Sequence, residues 1–325
     1  MKKITSIVVL VLTMALLTAC GSKATTDNQT GGGASSTPEA TSTPEANNDK
    51  VTVTHSKGTV SVDKGVTKAV VFDMAILDIM DSLKIDAKVA APVSSIPSYV
   101  TSYSDAVNAG SIKEPDMEAI YEFAPEVIFI SGRQSDFYDE LSKIAPTIYV
   151  DLNAATYMED VARNITTVGQ IFNKEAEAKE AITSLETLAN EVKAIAEAKE
   201  EKALIILSNE GSLSAYGKGS RFGLIHDALG VKTADETIAV STHGQEASYE
   251  YISKINPDIL YVVDRTAVVG GDTTKNEALN NELINSTKAA ANDKIVYLDP
   301  ECWYISGGGI HSVTTMINEV KASLQ

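Results

Sequence analysis

Across residues 174–199 the apolar side chains fall in a single stripe. Ile182, Leu185, Leu188, Val192 and Ile195 are three and four residues apart, and Glu or Lys fills most of the other positions. This periodicity predicts an amphipathic helix, and no Gly or Pro interrupts it. At 1.5 Å per residue the helix would run roughly 38 Å, enough to bridge two small lobes. On either side, short apolar runs alternate with helical stretches. A hairpin is predicted at 51–54 and 59–62 around Ser56-Lys57-Gly58. Strands follow at 69–72, 88–92, 127–130 and 147–150, with helices at 74–83 and 115–123. Beyond the long helix come strands at 203–207, 259–263 and 295–298, with helices near 222–229 and 310–324. Such alternation predicts an α/β fold of two lobes, each a mainly parallel sheet covered by helices, joined by the one long helix.

The two flanks also resemble each other. Glu118-Ala-Ile-Tyr-Glu-Phe-Ala-Pro125 leads through an apolar run to Arg133, and Glu250-Tyr-Ile-Ser-Lys-Ile-Asn-Pro257 leads through another to Arg265. Glu to Pro is seven residues in both, and Pro to Arg is eight. The chain therefore reads as internally duplicated around the helix: 51–173 as the N-terminal lobe, 174–200 as the connector and 201–325 as the C-terminal lobe. Ligands of open α/β sheets bind beyond the carboxyl ends of the strands, so each copy is expected to offer one arginine to a shared cleft.

Upstream of the lobes the pattern is different. Lys2 and Lys3 precede an uncharged apolar run ending Leu17-Thr-Ala-Cys20-Gly21. This has the form of a secretory leader, 1–20. Residues 21–50 carry three consecutive glycines and two Ser-Thr-Pro-Glu-Ala units with almost no apolar side chain, which predicts a flexible linker. The net charge is −17, and about −19 once Lys2 and Lys3 leave with the leader. A chain so acidic is a poor partner for nucleic acid or for anionic lipid, and an anionic ligand would need a local basic pocket. Apart from Cys20 there is only Cys302, so no disulfide framework is expected. Cys302 reads either as a small packed hydrophobe or as a reactive thiol.

Arginine is scarce: beyond residue 50 only Arg133, Arg163, Arg221 and Arg265 occur. Arg163 falls on a predicted helix surface, whereas the other three stand at loops or strand ends beside Gly or Ser. A guanidinium grips carboxylate, catecholate or phosphate oxygens with paired donors, so three around one cleft make an anion pocket. His243, in Ser-Thr-His-Gly-Gln, reads either as a solvated loop side chain or as a metal ligand. Tyr304, in Trp303-Tyr-Ile-Ser-Gly-Gly-Gly309, offers a phenol suited to ferric iron, and the helix start behind the glycines would favour an anion.

These segments resemble the class III substrate-binding lipoproteins of bacterial iron-siderophore ABC transporters, and most nearly the Gram-positive petrobactin-type catecholate binders. The resemblance rests on the lipobox, Gly110-Ser-Ile-Lys-Glu-Pro115, Gly217-Lys-Gly-Ser-Arg-Phe-Gly223, Ser241-Thr-His-Gly-Gln245 and the Trp303–Gly309 segment; its one departure is Cys302 beside the tryptophan. It implies a lipid-anchored, extracytoplasmic receptor, lipidated at Cys20, that binds a ferric siderophore as its ligand and has no intrinsic cofactor. Arg133, Arg221 and Arg265 would form a basic triad, with Lys113, Tyr216 and Trp303 also at the ligand. His243 and Tyr304 would reach the iron where the siderophore leaves sites open. Glu118 and Glu250 would dock on a membrane permease, although helix N-terminal charge is a sufficient reason for acids there. A monomer is expected. A haem or cobalamin receptor would share the fold without requiring three arginines. Catalysis finds no support: there is no G-x-G-x-x-G, G-x-S-x-G, P-loop or H-E-x-x-H spacing.

Overall fold

The computed structural model describes residues 49–271 and 281–325; the leader, Cys20 and nearly all of the 21–50 linker lie outside the described residues. A hairpin of β1 (Lys50–His55) and β2 (Gly58–Asp63) opens the described chain. The first lobe then runs β3 (Lys68–Val71), α1 (Met74–Ser82), β4 (Lys88–Ala91), β5 (Val107–Asn108), α2 (Met117–Phe123), β6 (Val127–Ile130), α3 (Tyr138–Leu141), β7 (Thr147–Tyr149) and α4 (Tyr157–Ile171). Its sheet has the order β5-β4-β3-β6-β7 and is parallel throughout. The stripe predicted over 174–199 forms α5 (Glu175–Glu197), 23 residues and about 34 Å long. Of the predicted stripe only Leu185 and Val192 are buried; the rest of the seam is Ala178, Ala189 and Ala196. Small residues there let α4 and the last helix pack closely against the spine.

The second lobe runs β8 (Lys202–Asn209), β9 (Ser212–Tyr216), β10 (Lys232–Thr233), β11 (Gln245–Ala247), α6 (Tyr249–Ile255), β12 (Ile259–Asp264), α7 (Thr266–Val269), α8 (Glu282–Asn285), α9 (Lys288–Ala291), β13 (Ile295–Leu298) and α10 (Ile310–Ser323). The helix expected near 222–229 is a single π-helical turn, Leu224–Ala228. The sheet order is β11-β9-β8-β12-β13, with β10 also on β8. The sheet is mainly parallel as expected, through β8, β10, β12 and β13; β9 and β11, which the spacing did not mark, are antiparallel to their neighbours, because Glu210 and Gly211, at φ 49° and 84°, close a tight hairpin after β8.

Strand residues alternate between two apolar clusters. Leu204, Ile206, Leu260 and Val262 pack outward with Ile252 and Ile284, and Val70, Ile128 and Ile130 pack with Ile120 and Leu141. The inner faces share one continuous core that passes from Val71 and Phe129 through α1, α4, α5 and α10 to Ile205 and Tyr261.

The duplication is visible in atomic detail. α2 and α6 are capped by Asp116 and Ser248 and end in left-handed Ala124 and Asn256, each followed by its proline. The acid after that proline does the same work twice. Glu126 donates its amide to Lys68 O and accepts from Lys68 N, both at 2.9 Å; Asp258 does so with Lys202, at 2.9 and 3.0 Å.

The lobes are also stitched together at a buried carboxylate. Asp78 of α1, 1 % exposed, accepts from His311 N at 2.9 Å and Ser312 N at 2.8 Å. It thus caps the start of α10 from the other lobe. The anion expected at that helix N-terminus is therefore internal. Gly309 is required here, since a Cβ would fall 2.2 Å from the Asp78 carboxyl.

Candidate functional site

β6 and β12 lie in corresponding places in their sheets, and each delivers its arginine just past its carboxyl end. Arg133 follows Ser131-Gly132 in a tight turn. Gln134 locks that turn: its side chain accepts from Ser131 N at 3.2 Å and donates to Ile112 O. The loop carrying Lys113 is thereby drawn against the arginine's turn, with Lys113 itself exposed. Arg265 continues the ladder, donating its amide to Ser208 O at 3.0 Å. Arg221 lies beyond β9 in the Gly217–Gly223 loop, which folds around the Asp227 carboxylate: Gly219 N donates to it at 2.6 Å.

The three guanidinia converge on one residue. Arg133 Nη2 and Arg221 Nη2 both donate to the backbone carbonyl of Tyr304, at 3.0 and 2.6 Å, and Arg265 Nε donates to its phenol at 2.7 Å. Their Cζ atoms stand 5.9, 4.2 and 5.4 Å from the centre of the Tyr304 ring, within cation–π range. Asn209, at the end of β8, fixes Arg265 from the other side, Oδ1 to Nη1 at 2.5 Å. Among the described residues, none of the three is in an ion pair with a carboxylate, whereas Arg163 is held by Asp160 at 2.5 Å. The triad is thus a concentrated positive charge that rests on dipoles and a π-face, with the Asp73 carboxyl acting on Arg133 from a distance.

The electrostatics follow. Burial and the neighbouring Arg133 push the Arg221 guanidinium below its ordinary value. Burial alone would raise the Tyr304 phenol, but the hydrogen bond from Arg265 and the charges of Arg221, Arg265 and Arg133 outweigh it, so the phenol titrates below its usual range.

Tyr304 is fixed by both lobes. Its π-helical segment, Glu301–Ser306, is bound to the first lobe by Ser98, whose N and Oγ donate to the Glu301 carboxylate at 3.0 and 2.6 Å. Tyr99 pairs with Ser306, and Tyr157 donates to Gly307 O at 2.9 Å. Behind Arg221 stands an aromatic wall: buried Tyr216 meets Phe222 edge-on at 4.7 Å, and Phe222 meets Trp303 at 6.2 Å. Trp303 is 2 % exposed and gives its indole N–H to Glu319 at 2.6 Å, so its ring backs the wall instead of forming its surface. Cys302 is buried too, and desolvation with Asp299 and Glu319 nearby pushes its thiol far up; it is the packed hydrophobe of the two readings.

His243 is exposed. Its loop abuts the wall, since a Cβ on the adjoining Gly244 would fall 2.7 Å from the Tyr216 ring, but no hydrogen bond or ring contact joins its imidazole to Tyr304 among the described residues. Glu118 and Glu250 are both exposed, in the first turns of α2 and α6. Sequence reasoning missed Asn209, although it stands at a strand end as the arginines do, and Asp78, which nothing local marks.

Known proteins with this fold complete the picture. The chain is 39 % identical over 330 residues, 100 % of each sequence, to the petrobactin-binding protein YclQ of Bacillus subtilis (strain 168). The crystal structure of YclQ matches with a TM-score of 0.82 at 42 % identity, over 85 % of this chain and 99 % of that one. The ferric-anguibactin-binding protein FatB of Vibrio anguillarum (strain ATCC 68554 / 775) is 33 % identical over 279 residues, 83 % of this chain and 86 % of FatB. The siderophore-binding protein BauB, solved with two molecules of acinetobactin and ferric iron, matches with a TM-score of 0.77 at 34 % identity, over 85 % of this chain and 99 % of that one. With its family model matched across residues 70–302, the chain belongs to the periplasmic binding protein family.

Proposed function

We propose that this protein is the extracytoplasmic receptor of an iron-uptake ABC transporter, anchored by a lipid on Cys20, and that it binds an anionic ferric siderophore of the catecholate, petrobactin-like type. The observation that carries this reading is the convergence of three guanidinia, without carboxylate partners, on Tyr304. Bare ferric iron would be repelled by that charge, whereas a catecholate complex with net negative charge is attracted and meets planar paired donors. The likeness to YclQ, FatB and BauB, each a binder of a siderophore or its ferric complex, supports it.

In this reading Arg133 and Arg221 exchange the Tyr304 carbonyl for ligand oxygens. Lys113 adds a cation from the loop on Arg133's turn, and Tyr216 with Trp303 behind it forms the apolar wall. The chain acts by binding and release, as a monomer, and without turnover. Glu118 and Glu250 present one carboxylate per lobe to the permease. No helix among the described residues is long and apolar enough to cross a membrane.

Tyr304 and His243 are assigned to the iron itself. The test is to compare a tetradentate ferric catecholate, which leaves coordination sites vacant, with a hexadentate one. Tyr304→Phe and His243→Ala should abolish the ligand-to-metal colour shift with the first while barely changing affinity for the second. Because the phenol must lose its proton to bond iron, affinity for the tetradentate complex should rise with pH up to the lowered phenol pKa, and the hexadentate complex should show no such rise. Equal losses for both ligands would remove the iron-ligand roles and leave these residues as pocket wall.

A further inference from the structure

The two copies of the repeat differ where they face outward. Glu118 and Glu250 are equivalent, but three and four residues later the first copy carries Tyr121 and Glu122 and the second Ser253 and Lys254. Tyr121 is 73 % exposed. Its counterpart Ser253 is half-buried: α8 packs on α6, with Ser286 Oγ 3.4 Å from Ser253 Oγ and Ile284 buried beside Ile252. Chain length is the cause. The connection from β12 to β13, residues 265–294, is nearly twice that from β6 to β7, residues 131–146, and the longer one supplies α8. In the first copy the shorter connection supplies only Leu141 of α3, which packs on Ile120 as Ile284 packs on Ile252 and leaves Tyr121 in solvent.

On α2 itself Glu118 and Glu122 are exposed like Tyr121, and exposed Glu114 and the capping Asp116 precede the helix; none of the four is in an ion pair among the described residues. An exposed aromatic side chain on an acidic helix has the make-up of an interface anchor for a basic partner. We propose that the outer face of α2, centred on Tyr121, seats a short basic segment of the membrane transporter, as α8 is seated on α6 within the chain. This rests on the docking role of Glu118 and Glu250 and adds what that role lacks. Two glutamates related by the repeat form a nearly two-fold pattern that fits a partner in either of two orientations. Tyr121 with Glu122, opposed to Ser253 with Lys254, differs in bulk and in sign of charge, so only one orientation buries the ring and pairs the acid.

Radio-iron uptake from ferric petrobactin, in cells carrying each variant in place of the full-length protein, tests this, alongside affinity measured by Trp303 fluorescence. Tyr121→Ala should lower uptake about tenfold at unchanged affinity, as expected for an aromatic hot spot. Tyr121→Phe should retain uptake, and Glu122→Lys should lower it. Normal uptake by Tyr121→Ala, while the double variant Glu118→Ala with Glu250→Ala is impaired, overturns the anchor and leaves the docking glutamates standing. Normal uptake by the double variant as well overturns both. Lost affinity in Tyr121→Ala, or a Phe variant as impaired as the Ala variant, also overturns the anchor.

Discussion

Replacing Arg221 with alanine should weaken binding of an anionic ferric catecholate by about 1.5–3 kcal/mol, roughly tenfold to a hundredfold or more. Arg221 makes the shorter of the two bonds to the Tyr304 carbonyl, 2.6 Å, and lies nearest the ring, 4.2 Å. It gives up a neutral acceptor for a charged one when the ligand arrives, so its contribution is larger to the complex than to the free protein. Arg133→Ala and Arg265→Ala should act in the same direction. The combined loss should be less than the sum of the single losses, because removing one guanidinium relieves the repulsion it exerts on the other two. Arg221→Lys should recover only part of the loss, since an ammonium cannot donate two parallel bonds. Titration of the single tryptophan with ferric catecholate, and with a neutral ferric hydroxamate as control, measures this. Unchanged affinity for the anionic complex, or tighter binding of the neutral one, would remove the charge-recognition role.

Asp78→Ala should lower stability by about 2–4 kcal/mol, combining the loss of a helix cap with two amides left unpaired in the core. For a chain of this size the melting temperature would fall by roughly 5–10 °C. The same change should slightly weaken ligand binding, because the capped end of α10 adjoins the segment that holds Tyr304. Thermal melts followed by circular dichroism decide it, and a melt superimposable on that of the wild type would show the cap to be dispensable.

Much of this architecture can be read from residue spacing. The long helix follows from five apolar positions, and the duplication from matched Glu, Pro and Arg, because both are local patterns repeated without tertiary help. The arginines stood out because there are so few and each marks an element end. Their meeting point did not. A backbone carbonyl carries no residue-type signal, and the segment bearing the Tyr304 carbonyl is tied to the first lobe by Ser98, Tyr99 and Tyr157, in bonds that span 150 to 207 residues of sequence. Asp78 is hidden for the same reason, 233 residues from the amide it caps. Trp303 was legible as an aromatic near the site but not in its direction, which Glu319 sets by taking the indole N–H. The β8–β9 hairpin escaped because Glu210 adopts a left-handed turn without being Gly, Asn or Asp.

Burial of Cys302 has a practical consequence. A chain starting after Cys20 carries one thiol, held neutral and away from solvent, so alkylating dyes should pass it by in the folded protein. A cysteine introduced on the exposed surface of each lobe would then be the only pair to take a label. Distances between the two dyes, recorded one molecule at a time, would follow the lobes through capture and release of iron with no need to remove a native residue.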